Sequence, residues 1–350
     1  MVLTNKPIVI LNDKTVYTAL GKYSSFLAEA LNAQLLSIIN DTTKARENFP
    51  GKIIDTKPAF VIGSGYSYSL KNPEKFYKKA VTTVSDSVGK SVIMHYSSPG
   101  IPPVFEATES VITIHDIFPM QMEGFERNNF LKFKHFDHVI AVSEQTKKDL
   151  NEAGFSGDIK VVYSPISREF HKLDVDRKQL RKEMNLPIED KLVLSVSIDS
   201  PLKNLGMVKD TMGVLGDGFK LIRVGSQLGN SISFRQITTE QLNKLYNCCD
   251  VLLFPSIKEG FGFPVVEAMR TGLPVVCSDI SVFREISPNV PYFSEVSTTS
   301  LSENVKEAVI RDEKRLEDGV KQSTRFDIDN FRKDMQNYYS EEFDVNFRSE

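Results

Sequence analysis

The residues best placed to do chemistry lie between Pro255 and Glu267, PSIKEGFGFPVVE, where Glu259 and Glu267 flank a glycine-rich turn that opens into a helix. An apolar strand, Asp250 to Phe254 (DVLLF), precedes the turn. Pro264 is expected at the first helical position, where its fixed φ and missing N–H cost nothing, and the helix should end near Gly272, with Pro274 blocking its continuation. This spacing puts Glu259 on a loop at a strand's carboxyl end and Glu267 about one turn into the helix, so that both can face one crevice. The N–H groups of Phe261, Gly262 and Phe263 should be exposed there. A helix N-terminus carries roughly half a positive charge, so the site suits a phosphate or sugar oxygen.

Other residues hold comparable positions. His115 follows the strand SVITI and precedes Asp116, which puts an imidazole at a strand's end; the plain alternative is a backbone-bonded histidine, with Asp116 capping the next turn of chain. Lys203 and Asn204 follow a strand at 191–197, where an ammonium could make a charge-assisted hydrogen bond worth about 1.5–3 kcal/mol. Gly21 sits in ALGKYSSFLAEAL, at the start of a helix. Cys248, Cys249 and Cys277 have no metal-ligand spacing, and three cysteines fit a reduced cytoplasmic protein.

These residues need a scaffold of strands. Short apolar runs recur at 7–11, 34–39, 59–62, 91–95, 110–114, 138–142 and 159–163 with helical stretches between several, and restart at 191–197, 219–225, 250–254 and 273–277. That alternation predicts α/β architecture with doubly wound parallel sheets, whose ligands bind outside the strands' carboxyl ends. The chain has 350 residues, enough for two domains, and a polar stretch from Ser167 to Arg177 separates the two sets of runs. With 43 basic and 46 acidic residues the net charge is −3, so there is no basic field of the kind nucleic-acid binding needs. No apolar run reaches membrane-spanning length, and the first residues lack a basic stretch followed by an apolar one; the expectation is a soluble cytoplasmic protein, at most peripheral on a membrane.

Several stretches resemble, in order, the retaining glycosyltransferases of the GT-B fold, family 4 (glycosyl transferases group 1): VITIHD at 111–116, HVIAVSEQTKKDL at 138–150, PLKNL at 201–205, LYNCCDVLLFPS at 245–256, the Glu259 to Glu267 signature, and GLPVVCSDI at 272–280. The resemblance implies two Rossmann-like domains facing across a cleft. The first, acceptor-side domain would comprise 1–167 plus a returning C-terminal helix at 326–350, and the donor-binding domain 168–325. It implies that a sugar moves from a nucleotide-diphosphate sugar to a glycan, lipid or other acceptor hydroxyl, with retention and with no metal or other cofactor. His115 and Glu259 would contact the transferred sugar, Glu267 the ribose hydroxyls, and Lys203 with the Phe261–Gly262–Phe263 amides the diphosphate. Gly21 would let the backbone approach donor phosphate or acceptor.

The chain departs from the pattern at three places. Ser197 and Ile198 stand where many members carry Gly-Arg, Leu202 replaces an Arg before Lys203, and SPI at 164–166 replaces an Asn-Gly turn. Rival readings are a nucleotide-sugar epimerase of the same fold and a catalytically silent nucleotide-sugar binder. GSGYSY at 63–68 lacks the third glycine of a dinucleotide fingerprint, and VGKS at 88–91 lacks the first glycine of a P-loop. FERNNFLKFKHF at 125–136 mixes aromatic and basic residues; it reads as an ordinary amphipathic helix, with contact to an anionic membrane surface as the alternative.

Overall fold

The computed structural model describes residues 6–13, 18–39, 52–55, 61–62, 69–70, 86, 91–101, 103 and 109–347. The chain divides into two compact units, Met1–Pro165 together with Ile328–Glu350, and Ile166–Asp327.

The first unit contains β1 (Ile8–Asn12), α1 (Ala19–Leu31), β2 (Gln34–Ile39), β3 (Lys52–Asp55), β4 (Val61–Ile62), β5 (Ser69–Leu70), β6 (Ile93–Tyr96), β7 (Glu109–Ile114), α2 (Phe125–Leu131), β8 (His138–Ala141), α3 (Glu144–Glu152) and β9 (Asp158–Val161). Seven strands pair in parallel in the order β3-β2-β1-β6-β7-β8-β9. Strand side chains alternate between faces, so the wholly buried run IVILN of β1 feeds two cores. Ile8 and Ile10 join Tyr23 and Leu27 of α1 and Phe331 and Met335 of the last helix (Ile328–Phe343), whereas Val9 and Leu11 join Phe130, Phe133 and Leu150. The last helix is tied to α1 by Gln336, whose amide donates to the Ala30 carbonyl at 2.8 Å.

The strand expected at 59–62 does not enter the parallel sheet. Its described part, β4, pairs antiparallel with β5 in a separate ribbon. The two rejected nucleotide motifs lie outside the described residues, apart from Ser91. In the 125–136 segment, Phe130 and Phe133 are fully buried in the core while Arg127 and Lys132 are not, as in an ordinary amphipathic helix. Among the described residues no helix is long and apolar enough to cross a membrane.

The second unit contains α4 (Arg177–Glu183), β10 (Lys191–Val196), α5 (Leu205–Leu215), β11 (Phe219–Val224), β12 (Ile232–Phe234), α6 (Thr239–Cys248), β13 (Val251–Phe254), α7 (Phe263–Thr271), β14 (Val275–Ser278), α8 (Ser281–Ile286), β15 (Tyr292–Ser294), α9 (Thr298–Ala308) and α10 (Glu313–Ser323). Its six strands run parallel in the order β12-β11-β10-β13-β14-β15. The order reverses direction beside β10 and β13, which puts the loops after those two strands side by side at a topological switch point. Val193, Val251, Leu253 and Val276 pack under Val208 of α5 and Leu301 and Val305 of α9. Cys248, Cys249 and Cys277 are buried free thiols.

Candidate active site

Glu259 and Lys203 meet directly. Lys203 closes a 3-10 turn, Pro201–Lys203, that comes after β10, and Glu259 lies on the loop after β13. The ammonium donates to Glu259 Oε1 at 2.6 Å and to Oε2 at 2.7 Å. The two loops are also joined through the backbone, Ile257 N–H donating to the Leu202 carbonyl at 2.9 Å. The carboxylate is largely covered, its side chain being 9% exposed against 21% for the lysine. Two of the three ammonium N–H groups therefore serve Glu259, and the ammonium nitrogen also lies 5.8 Å from the centre of the Phe254 ring.

Helix α7 begins at Phe263, so Pro264 occupies its second position rather than its first; the N–H it lacks would still have been one of the unpaired first four. Gly262 caps the helix with φ 100°, and a Cβ there would lie 2.6 Å from the Phe283 ring. Both facts require glycine. At this turn the residues Phe261 and Gly262 are buried and Phe263 is half-buried. The Phe261 ring is held edge-on between Phe263 and Phe326, at 5.1 and 5.2 Å between centroids, and this aromatic packing covers the turn.

Glu267 lies one turn into α7 as expected, but its Oε2 accepts the Tyr246 hydroxyl at 2.7 Å. Burial, reinforced by the Glu267 charge, pushes the Tyr246 phenol well above its ordinary range, so Tyr246 is a fixed donor that orients the carboxylate. Sequence reasoning gave Tyr246 no role. Tyr246 lies in LYNCCDVLLFPS, one of the stretches that carry the resemblance, but its partner is 21 residues away on another helix.

His115 and Gly21 belong to the first unit. His115 follows β7, its Nε2 3.0 Å from the Ser97 carbonyl, and lies edge to face with Tyr23 at 4.6 Å. Burial lowers its pKa to about 4 despite the Ser97 bond, so the imidazole is neutral at pH 7 with the Nε2 proton on Ser97. Gly21 lies in the first turn of α1, and its N–H donates to the N-cap Thr18 hydroxyl at 3.0 Å; the amide is thus already satisfied within the helix. Below them runs a buried polar chain. Tyr23 and Thr113 hydroxyls are 3.0 Å apart, Thr113 is 2.8 Å from His95 Nε2, and His95 Nδ1 is 2.7 Å from the Tyr339 hydroxyl. Burial, with the neighbouring His115, takes the His95 pKa down to about 3.

Residues 176–317 match the family model for glycosyl transferases group 1. The O-antigen chain mannosyltransferase RfbU of Salmonella typhimurium is 26% identical over 260 residues, covering 66% of this chain and 69% of RfbU. Over residues 176–317, most of the Ile166–Asp327 unit, the chain is thus similar to the group 1 glycosyltransferases. A second relative, the serotype-specific mannosyltransferase WbdA of Escherichia coli, is 24% identical over 215 residues, 51% of this chain and only 26% of WbdA. Solved structures share the two-domain GT-B fold. HepE of Anabaena, in complex with UDP and glucose, superposes with a TM-score of 0.76 at 16% identity over 96% of this chain and 100% of HepE. WaaG, a glycosyltransferase of lipopolysaccharide biosynthesis, gives 0.68 at 14% identity over 97% and 96%. At such identities the likeness is one of fold.

Proposed function

We propose that this glycosyltransferase moves a hexosyl group, with mannose as the first candidate, from a nucleoside-diphosphate sugar to a hydroxyl of a bacterial surface glycan or its lipid-linked precursor, with retention and without a metal. The observation that carries the reading is the Lys203–Glu259 pair at the carboxyl ends of β10 and β13, beside the start of α7. In the reaction the bond from C1 to the phosphate oxygen breaks and its electron pair stays on the diphosphate. The acceptor oxygen bonds C1 on the face the diphosphate leaves, and the acceptor proton passes to a leaving phosphate oxygen. Charge builds up on the diphosphate, and a preorganised cation next to a helix N-terminus is what stabilises it. Lys203 has one N–H beyond those used by Glu259, and a bound diphosphate competes for the other two. Glu259, so loosened, can accept from sugar hydroxyls while its charge opposes the positive character growing at C1. Glu267, oriented by Tyr246, serves the ribose hydroxyls as acceptor. His115, neutral above about pH 5, serves the sugar as a hydrogen-bonding group rather than as a cation. Mannose is suggested by the named activities of RfbU and WbdA.

The test is incubation of the purified protein with GDP-mannose, UDP-glucose and UDP-galactose, with and without EDTA and with a lipid-linked glycan acceptor, and then NMR of the new anomeric centre. Transfer with retention that survives EDTA supports the reading. Inversion or EDTA-sensitive transfer contradicts its finer parts, and tight donor binding without hydrolysis or transfer would favour a silent binder.

A further inference from the structure

The loop from β10 to α5, residues 197–204 (SIDSPLKN), carries a single cation, Lys203. At position 198, where the resemblance leads one to expect a ligand-facing arginine, Ile198 is 48% exposed. A guanidinium is nonetheless present one strand away and turned toward the backbone. Arg223 of β11 lies opposite Ser195 of β10 in the parallel register and is fully buried. Its Nη1 donates to the carbonyls of Ser195 at 3.2 Å and Val224 at 2.5 Å, and its Nη2 to the Ser197 carbonyl at 2.6 Å. Nη2 also lies 3.6 Å from Asp199 Oδ1, while the other Asp199 oxygen accepts the Ser226 hydroxyl. Gly225 makes room for this arrangement: with φ 143°, a Cβ there would fall 2.6 Å from both Arg223 Nη2 and the Ser197 carbonyl.

Only a planar, five-donor guanidinium can hold several carbonyls from one buried point, and it remains charged while doing so. The loop is thereby fixed at two points ahead of its lysine. Arg223 grips the exit of β10 before Lys203, and the Ile257 N–H holds the Leu202 carbonyl next to it. We infer that Arg223 is a positioning residue for Lys203: by clamping the end of β10 it fixes where the one loop cation meets the donor diphosphate. This inference rests on the donor-binding reading given above. It assigns to this chain a different use of the second guanidinium, as a backbone clamp rather than a phosphate ligand.

A clamp that acts through Lys203 affects the grip on phosphates more than the grip on base and ribose. The parent, Arg223→Lys and Arg223→Met are therefore titrated calorimetrically with GDP, UDP, GMP and UMP, and the melting temperature of each is recorded. For the base the parent prefers, Arg223→Met is expected to bind the diphosphate about tenfold more weakly while monophosphate binding stays within about twofold, with Arg223→Lys between the two. An unchanged diphosphate-to-monophosphate ratio in a folded Arg223→Met protein, or equal loss of both ligands, would overturn the positioning role. If Arg223→Met does not fold, the ratio in Arg223→Lys decides: a reduced ratio supports the clamp and an unchanged one refutes it. Binding of no nucleotide by the parent would remove the donor reading and this inference together, whereas parental binding with unaltered discrimination in the variants removes the inference alone.

Discussion

The sheet of the Ile166–Asp327 unit carries a carboxylate among cations at each of its two ends, and the two are satisfied in different ways. At the strands' amino ends Asp250 accepts from Arg181 at 2.6 Å, from Arg177 at 3.0 Å and from the Leu192 N–H at 2.6 Å. Arg181 spends its other donors on the carbonyls of Cys248, Ile188 and Asp190. Arg177 also reaches the Cys249 carbonyl. That network locks α4, α6 and the starts of β10 and β13 together. At the carboxyl ends Glu259 meets one lysine with a donor to spare. The difference teaches how to tell structure from function when both contain a short ion pair: the Asp250 network spends most of its hydrogen-bonding capacity on fixed backbone, with Arg177 Nε left over, and the Glu259 pair keeps capacity on the side where a ligand can use it.

Asp250 is where this contrast would break most directly. Asp250→Ala strands two arginines in a covered site and is expected to cost about 3–5 kcal/mol in urea unfolding. A loss below about 1 kcal/mol would mean that the amino-end network is no more structural than an exposed pair. Next comes Glu259→Ala, expected to lower turnover by the equivalent of about 2.7–4 kcal/mol, the range for loss of a preorganised electrostatic partner. Steady-state kinetics with the donor selected by the panel would measure it, and near-normal turnover would end Glu259's assigned role. Tyr246→Phe removes a hydrogen bond to a carboxylate and is expected to cost about 1.5–3 kcal/mol, appearing mainly as weaker donor binding in calorimetry. The smallest effect separates stability from site chemistry. His95 and His115 have folded pKa values of about 3 and about 4, below the ordinary value of 6.5, so the unfolded chain binds more protons between these limits and stability falls as pH is lowered from 6.5. At pH 5.5 each should cost about 1.2 kcal/mol relative to neutral pH, and a Glu259→Ala protein should show the same melting-temperature loss as the parent.

Strand-end positions were the legible part of the site. The loops holding Lys203 and Glu259 could be read because an apolar β-branched run ending in turn residues is a local pattern. The turn at Gly262 was read as glycine-rich, but its burial was not, because that comes from Phe283 and Phe326, which lie outside the motif. Arg223 lies within the strand run FKLIRVG, Arg177 at the end of the polar stretch between the two sets of runs, and Arg181 in no motif. Nothing near them in sequence announces a partner, since Arg223 bonds a carbonyl 26 positions away and Arg181 a carboxylate 69 positions away. His95 is a sharper case, its contact Tyr339 lying 244 residues on. In the fold, the long parallel strands were legible, whereas the three-residue edge strands β12 and β15 are too short to show a period. In 325–343 the sequence spaces Phe326, Phe331, Met335 and Tyr338 as on one helical face; the last three lie on the buried face of the last helix, whereas Phe326 sits in a 3-10 turn before it and packs on Phe261.

The central claim is that the carboxyl-end pair keeps a cation ready for the donor diphosphate, and Lys203→Ala tests it most directly when nucleoside-diphosphate affinity and unfolding free energy are measured on the same preparation. Diphosphate affinity is expected to fall by about 1.5–3 kcal/mol while stability falls by less than in Asp250→Ala, because one ion pair is lost rather than two and no strand N–H loses its acceptor. Diphosphate affinity equal to the parent's would contradict the claim, and so would a stability loss as large as that of Asp250→Ala, because either result would make Lys203 and Glu259 a second structural lock.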